Sequence, residues 1–370
     1  MKFKNILAVA FGLIFLCACF NSKTIYIGGI LPMSGDYYFY GSEIKKGVDL
    51  AISKRDNVLG KKIKFVVADD QSEHMKNIDA YNKFAANKKI CSIIGGGNSI
   101  LTEDIASVSQ KKPLPIITPT ASLKSITEYG PNIYRCVFTD ETEGICMAEF
   151  VLKDLKAKTA AVFYDMDNDY SIALAKSFLK KFNEGGKVLT EQSHPTSDND
   201  FRIQLNKIKL VNPDVLFIPD YAYNTVLILK QARDMGIKSV ILGPDTFEEA
   251  IEQANDKSIF DNAYYCSHYS TDNTDPAIQK FVNEFKKEYE SIPSSVAALS
   301  FDAANILLDA IQKANSTDSQ AILNALAQTN HSGVTGNIKF DENHNPIKDI
   351  TIIKVSNGKN EFLKTFTPTN

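Results

Sequence analysis

The sequence predicts an α/β protein built as two doubly wound, Rossmann-like lobes, and three observations carry that prediction. Strand-like and helix-like segments alternate from Thr24 to Thr120, and the same rhythm starts afresh at Thr159. Such alternation builds βαβ units, that is, parallel sheets with helices on both faces. A chain of 370 residues is more than one compact core organises. The C-terminal segments are too amphipathic to stand alone, so they must complete lobes already laid down, with several chain crossings between them.

The extreme N-terminus lies outside that pattern. "MKFKN" is a short basic stretch, and "ILAVAFGLIFL" is an apolar run well short of the roughly 20 residues a membrane span needs. Together they read as a secretory leader. The run ends in Leu16-Cys17-Ala18-Cys19, which resembles the bacterial lipobox, where cleavage precedes the cysteine and lipid is attached to it. The alternative is a plain leader with incidental cysteines. The lipobox reading makes residues 1–18 a signal peptide and residues 19–23 a lipidated tether. Several acyl chains on Cys19 would hold the protein stably outside the cytoplasmic membrane, where one chain would be marginal.

From Thr24 the elements read in order. "TIYIGGIL" is a strand, and "SEIKKGVDLAISKRD" has helical spacing with Ser42 placed to cap it. The strand "KKIKFVVAD", the helix "MKNIDAYNKFAANK", the strand "CSIIGG", the helix "ILTEDIASVSQKK" and the strand "LPIITPT" follow. After "NIYRCVF", the acidic "TDETEG" starts a helix. In the second unit the strands "TAAVFYD", "KVLTEQ", "DVLFIP" and "SVILGP" are separated by "YSIALAKSFLKKFNEG", "DFRIQLNKIKLV" and "NTVLILKQARDMG". "NAYYCSHYS" then leads to helical patterns at Pro276–Ser291, Val296–Asn315 and Asp318–Thr329, and to the β-like "GNIKFDENHNP" and "ITIIKVSNG".

Composition narrows the function. A net charge of −3 offers no basic stripe for nucleic acid. Cys91, Cys136 and Cys266 lie in apolar strand-like segments, where a thiol behaves as a small hydrophobe. Structural thiols are the favoured reading, with a Cys136–Cys146 disulfide as the alternative. No CxxC or Cys/His spacing marks a metal site.

Ligands of doubly wound sheets sit outside the carboxyl ends of the strands, so those loops hold the candidates. "SIIGGGNSI" raises the question of what its three glycines admit. No Lys follows them, as a Walker loop requires, and they follow a later strand rather than the first, as a dinucleotide turn requires. The five histidines are scattered, and no Gly-x-Ser-x-Gly elbow is present. What survives is anion binding: "GGNS" and "TAS" each place a serine, Ser99 and Ser122, where a helix with free N–H groups would start. Taken singly, both serines read as ordinary N-caps, the commonest use of Ser at a helix start.

The ordered set of segments resembles the type I periplasmic binding proteins of the branched-chain amino-acid (Leu/Ile/Val) transport family. The marks are "GGILPMSGDYYFYGSEIKKGVDLA", "DD", "SIIGGGNS", "LPIITPTAS", "IYRCVFTDETEG", "VFYDMDNDY", "NPDVLFIPDYAYNTVLILKQARDMGI" and "ILGPD", spread over Thr24 to Asn345. The resemblance implies that the loop segment Thr120, Ala121 and Ser122, together with Ser99, holds the ligand. Ser99 and Ser122 would grip an α-carboxylate, the Thr120 carbonyl would accept from the ammonium, and Asp245 would be its counter-ion. Tyr40, Tyr170 and Tyr221 would line and cover the site. It further implies no cofactor, no metal and no chemical step. The partners would be an amino acid and ABC permease subunits, and the protein would be a monomer. The lobes would span residues 24–138 plus 268–346 and residues 139–267 plus 347–370, hinged near Val137–Thr139, Cys266–Tyr269 and Pro346–Lys348. Departures bear on specificity: Gly97 and Asn98 stand where branched-chain binders carry larger apolar residues or Cys, and Asp245 is one methylene shorter than Glu. The family's disulfide is absent. Other readings are a small carboxylate or amide ligand, a sensor role, or an enzyme using His268.

Overall fold

The computed structural model describes residues 23–55 and 57–366, so the leader and Cys19 lie outside the described residues. The first sheet contains β1 (Thr24–Leu31), β2 (Lys62–Asp69), β3 (Ile90–Gly95), β4 (Ile116–Thr118) and β5 (Ile133–Arg135). Its order is β2-β1-β3-β4-β5, and every pairing is parallel. Helices α1 (Tyr38–Ser53), α2 (His74–Ala86), α3 (Ser99–Ser109) and α4 (Ser125–Glu128) connect the strands. Every residue of β3 is buried, as befits a strand covered on both faces.

Helix α5 (Asp140–Lys153) opens the second unit. It continues through β6 (Thr159–Asp165), α6 (Asp169–Phe182), β7 (Lys187–His194), α7 (Arg202–Val211) and β8 (Val215–Phe217). Helix α8 (Ala222–Asp234), β9 (Val240–Gly243), α9 (Phe247–Gln253) and β10 (Ala263–Ser267) complete its parallel part. The chain then supplies α10 (Pro276–Tyr289), α11 (Ser295–Ala314) and α12 (Ser319–Leu326) to the first core, where Leu299, Ala303 and Leu307 pack with Ile44, Val48 and Ile94. Helix α10 buries Ile278, Phe281, Val282 and Phe285, the stripe expected of a helix with one core-facing side. A small sheet of β11 (His331–Gly333), β12 (Gly336–Phe340) and β13 (Pro346–Ile347) follows. Finally β14 (Ile350–Ser356) and β15 (Lys359–Phe366) add antiparallel to β10, giving the second sheet the order β15-β14-β10-β9-β8-β6-β7.

The chain therefore passes between the two bodies after β5, after β10 and before β14. These passages lie side by side: Phe138 stacks on His268 with ring centroids 4.0 Å apart, and Phe138 and Lys348 line one cavity.

Three details differ from the sequence reading. Helix α1 begins at Tyr38, with Ser42 inside it rather than capping it, because the Tyr38 N–H bonds to the Gly35 carbonyl and the Tyr37 N–H to Ser72 Oγ. No helix starts at Ser122; α4 starts at Ser125, after an irregular loop. Helix α9 and strand β15 were not foreseen. Asn357-Gly358, with φ of 52° and 66°, is the type of pair that turns a two-residue hairpin, and it was the available signal for β15.

Among the described residues Cys91, Cys136, Cys146 and Cys266 are free and buried, so the structural-thiol reading holds for them. Thiol reagents are expected to leave these four untouched until the protein unfolds. Stoichiometric labelling in native buffer would contradict that.

Candidate functional site

The loops at the carboxyl ends of both sheets enclose a small cavity whose empty space, mouth and open solvent included, is about 380 Å³. Seven of the eight residues singled out in the sequence line it: Tyr40, Ser99, Thr120, Ser122, Tyr170, Tyr221 and Asp245. Ala121 does not. It is fully buried, with its N–H on Thr118 Oγ1 (3.2 Å) and its carbonyl on the Arg135 guanidinium (3.0 Å).

The first wall is built by the glycine-rich turn. Gly96 has φ +81°, and a Cβ there would lie 1.8 Å from Thr102 Oγ1, so only glycine lets the chain turn tightly into α3. Asn98, not Ser99, is the N-cap: its Oδ1 accepts from the Leu101 N–H at 2.9 Å. That frees Ser99 to face the cavity, where its Oγ also accepts from the Leu123 N–H at 3.2 Å. The leading N–H groups of α3 have no intrahelical partner, so this wall offers hydrogen-bond donors and the positive end of a helix dipole. The Thr120 hydroxyl points inward, donating to the Gly96 and Gly97 carbonyls (both 3.2 Å). Ser295, Val296 and Leu299, from the start of α11, close this side. Nothing in the sequence marked them, since the first turn of a buried helix reads only as core.

The opposite wall is acidic. Asp245 accepts from the Tyr170 hydroxyl (2.9 Å) and lies 3.2 Å from His268 Nε2, while its own N–H donates to Glu143 Oε1 (2.7 Å). Glu143 is fully buried and also accepts from the Cys266 thiol at 2.8 Å. Burial, reinforced by Asp245, pushes its carboxyl well above the usual range. Burial drives His268 down to about 4, so it is neutral and acts as a donor to Asp245. Among the described residues no hydroxyl or thiol is hydrogen-bonded to either nitrogen of its ring, so no nucleophile is paired with it. Tyr170 and Tyr221 rings lie 5.0 Å apart and tilted by 30°. Thr246, which the sequence reading does not single out, completes this wall, its hydroxyl donating to the Asp220 carbonyl at 2.7 Å.

Contacts also bridge the two bodies. Glu248 of α9 accepts from the Ser295 N–H at 2.9 Å, and the Tyr40 phenol lies beside Glu249. Behind Ser122, Asp140 is 1 % exposed and interacts with the Ser122 hydroxyl, and burial raises its carboxyl to about 7. A buried acid of that kind binds its proton more tightly folded than unfolded, so its contribution to stability is lost as pH rises from about 4 to about 7. Asp140→Asn is therefore expected to gain in Tm over wild type progressively across that interval, with a plateau above it. Thermal melts at pH 4 to 8 check this, and a constant offset would sink it.

Two lobes closing on a small polar cavity, with donors in one wall and a carboxylate in the other, define a solute-binding protein. The chain belongs to the periplasmic binding protein family, whose model matches residues 24–360. It is similar to a leucine-binding protein, LivK, of Thermotoga maritima, with 32% identity, 93% of this chain and 99% of that one covered, and a TM-score of 0.86. The substrate-binding protein LivJ of Streptococcus pneumoniae, solved with isoleucine, gives 28% identity, 93% and 100% coverage, and a TM-score of 0.85. A Leu/Ile/Val-binding protein homolog of Brucella melitensis is 27% identical over 90% of each chain. The type I fold with its two lobes is thereby established, and the family binds solutes rather than transforming them. Among the described residues no helix is long and apolar enough to cross a membrane.

Proposed function

We propose that the protein captures a small neutral α-amino acid between its lobes and delivers it to the membrane subunits of an ABC transporter. The observation that carries this reading is the polarity of the cavity: donors at Ser99, Ser122 and the α3 N-terminus on one side, the Asp245 carboxylate on the other. A zwitterion fits that pairing, with its carboxylate on the donors and its ammonium on Asp245, and charge-assisted hydrogen bonds are the strong ones. The Thr120 carbonyl is a second acceptor for the ammonium, and Tyr40, Tyr170 and Tyr221 cover the ligand. The names of the relatives for leucine, isoleucine and valine support the ligand class.

The three adjacent passages, near Val137–Thr139, Cys266–Tyr269 and Pro346–Lys348, act as the hinge. They join residues 24–138 plus 268–346 to residues 139–267 plus 347–370. A ligand touching both walls favours the closed state, whereas one bound equally by both states would shift nothing. Cys19, lipidated after removal of residues 1–18, anchors the monomer outside the cytoplasmic membrane.

Calorimetric titration of the standard amino acids tests this, using full-length protein in mild detergent, unfolded and refolded to strip carried-over ligand. Tight binding of one group of amino acids is expected. If none binds, the ligand is another small carboxylate or amide and the amino-acid reading fails.

A further inference from the structure

We infer that Asn98 reads a neutral oxygen on the ligand's side chain, so that hydroxyl- and carboxamide-bearing amino acids are preferred over aliphatic isosteres. This deepens the amino-acid reading above and rests on it.

The geometry of Asn98 is over-determined. Its Oδ1 is committed to the Leu101 N–H at the start of α3 (2.9 Å). Rotating the amide by half a turn would set Nδ2 against that N–H, donor to donor, so the cap fixes the orientation of the amide. The residue is 3 % exposed and lines the cavity, and its Nδ2 is buried without a hydrogen-bond partner. The Tyr37 phenol lies on the same side without completing a bond of good geometry. A buried donor left unpaired is costly, and a ligand acceptor would satisfy it.

Three of the other hydroxyls in the lining are already spent on the protein itself. Hydroxyl hydrogens of Thr120, Thr246 and Tyr170 go to Gly96 and Gly97, to Asp220 and to Asp245 respectively. Asn98 differs in that its Nδ2 has no partner of good geometry. The charge of the acceptor is constrained as well. No Lys, Arg or His lines the cavity, while Asp245 does and Asp140 and Glu143 are buried close behind it. An anionic side chain would meet repulsion with nothing to offset it, which leaves a hydroxyl or a carboxamide oxygen. Aliphatic surface in the lining is confined to Val296 and Leu299, little cover for a branched apolar side chain.

Two isosteric pairs isolate the oxygen: L-threonine against L-valine, and L-asparagine against L-leucine. Each is titrated calorimetrically into the full chain in detergent, wild type and Asn98→Ser. Serine retains an N-cap acceptor but removes the amide donor, and ligand-free melting of the variant checks that the fold is kept. In wild type the polar member of at least one pair is expected to bind about 10-fold tighter or more. In Asn98→Ser that ratio is expected to fall to within about threefold. Valine or leucine binding as tightly as its polar partner in wild type would overturn the inference while leaving the amino-acid reading intact. Equal weakening of both members by Asn98→Ser would place the amide on the α-carboxylate, which also overturns it. A polar preference unchanged in the variant would remove Asn98 as its source. Failure of all four to bind, while other amino acids do, would reject the side-chain class alone; failure of every amino acid would reject the parent reading and the inference together.

Discussion

If the proposed amino-acid reading holds, Asp245→Ala is expected to lower amino-acid affinity by about 100-fold or more, because it would remove the carboxylate proposed to face the ligand ammonium. The loss has two parts. The ammonium forfeits its charge-assisted partner, and the Tyr170 hydroxyl and His268 Nε2 lose the acceptor that holds them in place. Asp245→Asn separates the parts, since it keeps the shape and one acceptor oxygen while deleting the charge. Burial already holds the Glu143 carboxyl in its neutral form beside Asp245, so ligand-free Tm is expected to stay close to the wild-type value. Calorimetric titration beside thermal melting reads both. An Asp245→Asn variant within threefold of wild-type affinity would remove Asp245 as counter-ion.

The second large effect is expected at Gly47, which does not itself line the cavity. A Cβ on Gly47 would come within 2.2 Å of the Ala297 carbonyl oxygen, in the first turn of α11. Backbone cannot yield there as the tip of a flexible side chain would, so Gly47→Ala must push α1 and α11 apart. The gain in helix propensity, about 1 kcal/mol, is outweighed by an overpacking cost of about 2–3 kcal/mol spread over the first core. Melting should fall by several degrees. Because Ser295, Val296 and Leu299 ride on the same turn of α11, ligand affinity should fall with it. An unchanged or raised Tm would show that the helices separate without strain.

Much of this architecture was legible because hydrophobic period and strand–helix alternation are local signals. Strands such as Ile90–Gly95 and helices such as Pro276–Tyr289 announce themselves within their own residues. The failures were of a different kind. Ser42 looked like a cap, but the turn at Gly35, seven residues upstream, and the Ser72 hydroxyl decided where α1 starts. Ser99 and Ser122 were readable as caps or as ligands; the structure gives the α3 cap to Asn98 and leaves Ser122 in a loop. Seven candidate residues meet at one cavity, but the residues that α11 contributes were invisible, since about 170 positions of chain separate them from the loops they face. Glu143 was seen only as an acidic helix start, because its contact with Asp245 spans two elements distant in sequence.

The three side-by-side passages between the lobes have a topological consequence. A single peptide link would leave two bodies free to swivel and drift apart, whereas three neighbouring links, braced by the Phe138–His268 stack, resist torsion and leave bending as the soft motion. Each lobe is also assembled from pieces of chain that are not contiguous, so no cut at one place can release it. A protease that nicks one passage would yield two fragments that still migrate together as a folded particle and part only in denaturant. The lobes are thus two halves of one mechanical object rather than separable modules, and neither has a contiguous stretch of chain from which it could be cloned alone.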